Sequence, residues 1–200
     1  MSTYDPAQDL RTLRLMVNHF EPYIYEQPIY GGLGANQPRL TIGGILLRVH
    51  RLDELQRDLP TEQRGTFQMA KMAFAAKRNT WKLHYRDKLF REMRARLAQM
   101  ETYLEDAADD LEAAEADYPP EAVRRTMLQH LMDEAHTQDV NTNGLNHRLE
   151  YIDRALDHLL HDEPDDFLWS DDLRRAYPAE DYWWLYRTPA DNQQPHYMPT

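Results

Sequence analysis

Apolar residues recur every three or four positions along most of this chain, a spacing that predicts amphipathic α-helices. The first set follows Asp5-Pro6, where Asp suits an N-cap and Pro suits the first helical turn, and Pro22 is expected to end this helix. A second set starts at residue 41, although Gly43-Gly44 leaves a strand over residues 40–47 as the alternative. Two later sets predict helices over residues 121–135 and 145–160.

The middle of the chain predicts one very long helix over residues 60–117, because no proline occurs between Pro60 and Pro119 and strong helix formers dominate. Such a helix would extend ~80 Å at 1.5 Å per residue. A row of apolar residues repeats every seven positions, which is typical of a coiled coil, and two companion positions hold the polar residues Asn79 and Arg86. The row consists of Met69, Ala76, Leu83, Phe90, Leu97, Leu104 and Leu111.

A second apolar row, from Phe67 and Phe74 to Trp81 and Tyr85, lies on another face of the predicted long helix. A helix with two apolar faces contacts two neighbours. The pattern therefore fits either the central helix of a bundle or a projecting dimerisation arm. The long helix is expected to end where Tyr118-Pro119-Pro120-Glu121 interrupts the run and starts the next helix.

The C-terminal part of the chain is rich in aromatic residues and proline. Burial of each large aromatic side chain is worth on the order of 2 kcal/mol, so these residues are expected either to pack on the helices or to bind another protein. After residue 187 the chain is rich in Pro, Gln and Asn, which predicts a flexible tail over residues 188–200. The aromatic residues are Phe167, Trp169, Tyr177, Tyr182, Trp183, Trp184 and Tyr186.

Together these patterns predict an all-α protein, a bundle of about five helices. One helix is very long and coiled-coil-like, and an aromatic C-terminal extension packs on the others. The predicted division is a helical bundle over residues 1–162, an aromatic segment over 163–187 and the tail over 188–200.

Charge is distributed unevenly around a formal net charge of −11. Residues 64–96 contain ten Lys or Arg and two acidic residues, whereas residues 101–117 contain eight acidic residues and no basic one. A basic stripe on the long helix could follow a nucleic-acid backbone, or it could pair with acidic side chains of this chain or a second copy. The stripe consists of Arg64, Lys71, Arg78, Lys82, Arg86 and Arg96.

Composition narrows the possible location and chemistry. The chain has no cysteine, which excludes disulfides, thiolate metal sites and thiol nucleophiles. No basic and then apolar leader is visible at the N-terminus, and no apolar run reaches the ~20 residues that span a bilayer. We therefore expect a cytoplasmic protein with no membrane partner.

Catalytic motifs are missing from the sequence. There is no nucleophile elbow, and Ser170 is interpreted as the N-cap of a short helix over residues 171–176. Gly31-Gly32-Leu33-Gly34 lacks the ending of a phosphate-binding loop. A metal site built from His130, Glu134, His158 and His161 is the remaining possibility, yet two His at i, i+3 are not a specific signature. No enzyme activity, cofactor or metal is predicted.

The favoured functional hypothesis is a non-enzymatic protein-protein interaction or assembly protein that forms a homodimer through the heptad row of the long helix. A nucleic-acid-binding accessory protein that uses the basic stripe is the alternative, and a metal-binding helical protein is the third possibility. The predicted partner-binding residues are Leu83, Phe90, Leu97, Leu104, Leu111, Trp169, Trp183 and Trp184.

Overall fold

A computed structural model describes residues 3–162 and 167–189 and confirms the all-α class. The described residues contain seven α-helices, and none of these is long and apolar enough to cross a bilayer. They are α1 (Pro6–Asn18), α2 (Phe20–Tyr25), α3 (Ile42–Glu54), α4 (Thr61–Thr80), α5 (Lys82–Asp109), α6 (Leu111–Thr137) and α7 (Asn143–Leu159).

The centre of the fold is an antiparallel hairpin of α5 and α6. Near its tip the Tyr103 hydroxyl donates to the Ala114 carbonyl at 3.0 Å, and at its other end the Tyr85 hydroxyl donates to Glu134 at 3.0 Å. The buried face of α5 consists mainly of Leu, Met and aromatic side chains at helical spacing, Leu97 among them. Helix α6 of the same chain therefore packs against much of the apolar surface of α5.

The predicted single helix over residues 60–117 is wrong in its continuity, because it is interrupted at Trp81 and at Asp110. The first interruption directly follows Asn79 and Thr80, which are both weak helix formers. At the second, Asp110 is extended (φ −145°, ψ 96°), and its carboxylate accepts a hydrogen bond from the Ala113 N–H. Asp110 is therefore the N-cap of α6, and the chain reverses direction there.

The expected helix break at Pro119-Pro120 is also wrong, since both prolines lie inside α6. Proline removes the N–H that would bind the carbonyl four residues earlier, here those of Glu115 and Ala116. All four residues are exposed, so water can hydrate the released carbonyls. Pro22 likewise does not end the first helix, because it lies in the first turn of α2, where an N–H has no helical partner.

Helix α3 excludes the alternative of a strand over residues 40–47. A buried carboxylate explains why position 43 in this helix is a glycine. Glu92 of α5 is fully buried and accepts hydrogen bonds from the backbone N–H groups of Ile42 (2.8 Å) and Gly43 (3.1 Å). A Cβ at Gly43 would lie 2.8 Å from the Glu92 carboxylate, so only glycine permits this approach. Arg96 balances the buried charge by donating to Glu92 at 2.7 Å.

Helix α4 lies at the periphery and buries only three side chains, Phe67, Ala70 and Phe74. Phe74 packs edge-on against Phe20, with the ring centroids 5.3 Å apart. Helical hydrogen bonds continue across the interruption at Trp81. The Trp81 N–H donates to the Lys77 carbonyl (3.0 Å), and the Trp81 carbonyl accepts from the Tyr85 N–H (2.9 Å).

Two ion pairs hold α7 against the hairpin. Arg148 donates to both carboxylate oxygens of Glu101 in α5, at 2.7 and 2.6 Å, which lowers the pKa of the Glu101 carboxyl. Arg125 of α6 donates to Asp153 at 2.6 and 2.9 Å. Two contacts of this bidentate kind fix both the position and the rotation of α7.

The C-terminal segment returns to the helices after α7. A two-stranded antiparallel sheet pairs β1 (Leu160–Asp162) with β2 (Arg187–Pro189). Between the strands, the described residues form 3₁₀-helices at Asp171–Leu173 and Trp183–Leu185 and pack on α3 and α6. Residues 190–200, and with them most of the predicted tail, lie outside the described residues.

Candidate interaction surface

The predicted heptad row is divided between the surface and the core. Met69 (66% exposed), Ala76 and Leu83 (79% exposed) face solvent, whereas Leu97 is fully buried. Phe90, Leu104 and Leu111 are half-buried. The later part of the row is buried or half-buried within the chain, so the earlier part is the more accessible to a partner.

The exposed part of the row and the companion residue Met72 form an apolar strip that we call the α4 edge. It consists of Met69, Met72 and Ala76 of α4 and Leu83 at the start of α5. Met72 is 71% exposed. The strip follows from helical spacing, because residues three, four and seven apart share a face. That face is opposite Phe67 and Phe74, which bind α4 to the protein.

An aromatic cluster adjoins the end of the α4 edge. Trp81 lies edge-on to Tyr25 of α2, with 4.6 Å between ring centroids, and Tyr25 also contacts His84 at 5.1 Å. Tyr25 and Leu83 line a cavity of about 260 Å³ that also includes the carboxylates of Glu26 and Asp87. Trp and Tyr are enriched at the energetic centres of protein interfaces, so this cluster extends the candidate surface beyond the heptad positions.

A shallow groove runs along the other side of Met69. It has a volume of about 270 Å³ and lies between α1 and α4, with Val17, Ala70 and Ala73 in its walls. The small apolar side chains leave room for an unbranched side chain such as methionine, which fills irregular gaps.

Most of the basic stripe is paired within the chain. Lys71 pairs with Asp53, Arg78 with Glu134 at 2.9 Å, and Arg96 with Glu92. Arg86 donates to the Gln138 carbonyl and lies 3.7 Å from Asp139, while Arg64 and Lys82 are exposed. These acidic partners lie in α3, α5, α6 and the turn after α6, outside the acidic residues 101–117.

The three C-terminal tryptophans differ in accessibility. Trp184 is buried, and its indole N–H donates to Thr126 of α6 at 3.0 Å while Arg125 stacks on the ring at 4.0 Å. Trp169 and Trp183 are half-buried, with Arg51 at 4.4 Å and Arg187 at 4.9 Å over their rings. Trp184 therefore belongs to the core and is inaccessible to a partner while the segment is folded.

The residues proposed for a metal site do not assemble. Among the described residues, no three His, Asp or Glu side chains could hold a metal ion. Glu134 binds Arg78 and Tyr85, and His130 instead stacks on His50 with 4.6 Å between centroids. His158 is exposed and His161 is half-buried near the end of α7. Sequence spacing could not reveal the His50–His130 contact, because the two residues lie 80 positions apart.

The His50–His130 pair lies beneath the C-terminal segment. His50 Nε2 is 2.6 Å from the Ala176 carbonyl, whereas His130 Nε2 is buried and has no hydrogen-bond partner among the described residues. Burial, followed by the nearby His50 and Arg51, lowers the pKa of His130 to about 3. The imidazole of His130 is therefore neutral in the folded protein at neutral pH.

A cavity of about 440 Å³ lies at the start of α1, and Ser170 is among the residues that line it. The Ser170 hydroxyl accepts from the Tyr4 N–H at 3.2 Å and donates to Asp172 at 3.0 Å. As predicted, Ser170 is the N-cap residue of a short helix, here the 3₁₀-helix Asp171–Leu173, although its side chain makes no capping hydrogen bond. Asp9 lies 3.3 Å from Arg48 and 3.6 Å from Arg51. These contacts stabilise the junction of α1, α3 and the C-terminal segment.

No protein-family model, curated protein or solved structure matches this chain.

Proposed function

We propose that this chain is a non-enzymatic assembly protein that forms a homodimer through the α4 edge. The observation that carries the proposal is the exposure, at heptad spacing, of Met69 and Met72 on the peripheral helix α4 and of Leu83 at the start of α5. Scattered exposed apolar residues are ordinary, but an aligned row of them is typical of a binding surface.

The α4 edge replaces the later heptads as the proposed contact. Leu97 is buried between helices of the same chain, and Leu104 and Leu111 are half-buried there. A partner could reach Leu97 only by displacing part of the surrounding chain. The α4 edge needs no such rearrangement, because its side chains already face solvent.

The expected affinity is moderate. Burial of an apolar side chain is worth roughly 1.5–3 kcal/mol, and association costs several kcal/mol in lost translational and rotational freedom. With three large side chains buried from each copy, the expected free energy of association is about −8 kcal/mol. This value corresponds to a dissociation constant in the micromolar range. Sedimentation velocity over a concentration series should therefore show a monomer-dimer equilibrium.

Met72→Glu is the direct test of the α4 edge. In the dimer this substitution places two carboxylates in the apolar contact. The affinity of the two copies for each other is therefore expected to fall at least about tenfold. Tyr151→Glu is the matched control, because Tyr151 is a comparably exposed side chain (57%) on α7. The control should leave the sedimentation profile unchanged.

Two results would contradict the proposal. A starting protein that stays monomeric at ~100-fold above the micromolar range would remove it. A dimer that is weakened equally by Met72→Glu and Tyr151→Glu would place the contact elsewhere. Circular dichroism of each variant excludes unfolding as the cause.

A further inference from the structure

We infer that the two copies join with their α4 helices parallel and in register, so that each residue of the α4 edge faces the same residue of the other copy. This inference rests on the proposed dimer and adds its orientation. It follows from the charged and polar residues that flank the apolar strip.

The first observation is a pair of exposed, opposite charges on the two sides of the strip. Lys82 is exposed, and the Asp87 side chain is 69% exposed with its carboxylate 3.7 Å from Arg91. In a parallel coiled coil, the residue just before a core position faces the residue five positions later on the other helix. Lys82 directly precedes Leu83, so parallel pairing brings Lys82 toward Asp87 of the second copy, twice in each dimer.

Antiparallel pairing gives Lys82 no opposite charge. In an antiparallel coiled coil, the residues that directly precede the core positions face each other, with the ends of the two helices exchanged. Lys82 precedes Leu83, and Gln68 precedes Met69, so Lys82 would approach Gln68 of the second copy. Gln68 carries no charge, so this orientation lacks the ion pairs of the parallel one.

Asn79 supplies the second observation. It is exposed in the companion row of the heptad, beside Met72 and Ala76. A side-chain amide both donates and accepts, so two copies of Asn79 can satisfy each other only when they face each other. A polar Asn in an otherwise apolar heptad row fixes register in this way at some cost in stability.

Disulfide trapping tests the orientation directly, because the chain has no cysteine of its own. Met69→Cys, Ala76→Cys and Leu83→Cys would be made singly and oxidised at a concentration where the protein is dimeric. In a parallel register all three positions bring identical residues together, so all three variants are expected to form intermolecular disulfides. Tyr151→Cys is the control and should stay monomeric on a non-reducing gel.

A charge exchange gives an independent readout by sedimentation. Lys82→Asp and Asp87→Lys should each weaken dimerisation about threefold to tenfold, because each replaces two attractive surface pairs by two repulsive ones. The double variant restores opposite charges and should return the dissociation constant to within about twofold of the starting protein.

The outcomes separate the orientation from the dimer itself. A disulfide at no more than one of the three positions, or a double variant that fails to recover, overturns the parallel register. If Met72→Glu still disrupts the dimer in that case, the α4 edge stands as the contact. A monomeric starting protein overturns the dimer and its orientation together.

Discussion

Individual polar residues in the core of this protein are stabilised by groups far away in sequence. Glu92 accepts two backbone N–H groups at the start of α3 and binds Arg96, so its buried charge is compensated on both sides. His130 has no such compensation, since its Nε2 has no partner among the described residues and its ring packs against His50 and Tyr177. Its neutral form is therefore required by the fold.

The neutral state of His130 predicts a loss of stability in acid. The pKa of His130 is about 3 in the folded protein and near 6.5 in the unfolded chain, so between these values only the unfolded chain binds the proton. The contribution is fully present above pH ~6.5 and is lost as the pH falls toward ~3, by at most about 1.4 kcal/mol per pH unit. Urea unfolding at pH 7.5 and pH 5 measures it.

The control for this prediction uses a second histidine. His130→Phe keeps the aromatic packing and removes the proton site, so the free energy of unfolding should depend less on pH than in the starting protein. His147→Phe changes a histidine whose side chain is 86% exposed and should keep the original dependence. Equal pH profiles for the starting protein and His130→Phe would show that His130 is not responsible.

At the scale of elements, capping explains where the helices begin and end better than the distribution of proline does. Asp5 accepts from the Ala7 and Gln8 N–H groups, and Asp110 accepts from Ala113, so an acidic residue starts both α1 and α6. Pro119-Pro120, by contrast, lies within a helix that continues for 17 further residues. One hydrogen bond from a side chain therefore decides a chain reversal that two prolines do not cause.

Asp110→Ala tests this role. Loss of the cap is expected to lower the free energy of unfolding by about 1 kcal/mol, as for other Asp N-caps. Asp109→Ala is the matched control, because Asp109 is also exposed but lies in the last turn of α5, where an acidic residue opposes the helix dipole. Thermal unfolding should show a lower midpoint for Asp110→Ala and an unchanged or higher one for Asp109→Ala.

The sequence predicts the helices well where apolar spacing and a cap agree, as at Asp5 and Thr41. It fails at Asp110, because an Asp within a run of acidic helix formers gives no contrast with its neighbours. It fails at Pro119 because tolerance of proline depends on whether the released carbonyls face water, which only the packing of Tyr118 into the core determines. Composition around a residue does not contain that information.

At the scale of the whole molecule, pairing within the chain uses most of the charge that could have attracted nucleic acid. Lys71, Arg78 and Arg96 each bind a carboxylate, and Arg86 binds a carbonyl. The net charge of the chain is −11. A phosphate backbone would therefore meet mostly compensated cations in a negative field.

We expect no retention on an oligonucleotide column at ~50 mM salt, where electrostatic binding would be strong. A double variant, Arg64→Glu with Lys82→Glu, serves as the reference because it removes the two exposed cations of the stripe. Retention of the starting protein that is lost in this variant, and lost again as salt rises, would support nucleic-acid binding instead.

The candidate surface could be predicted only in part. The heptad row correctly indicated that the helix needs a companion, but a repeat pattern does not say which chain supplies it. Leu97 is fully buried within the chain, whereas the Met69 end of the row has no companion among the described residues that covers it. Tyr25 joined the candidate surface only through a tertiary contact with Trp81 that no local pattern encodes.

The carboxylate of Glu134 has a consequence for how the α4 edge is presented. It accepts from Arg78, three residues before the interruption at Trp81, and from Tyr85, four residues after it. A hinge motion at Trp81 would break one of these two hydrogen bonds and leave the largely buried Glu134 carboxylate without that donor. Helix α4 and the start of α5 are thus expected to move together as one rigid unit, whose orientation is set by the contact with α6.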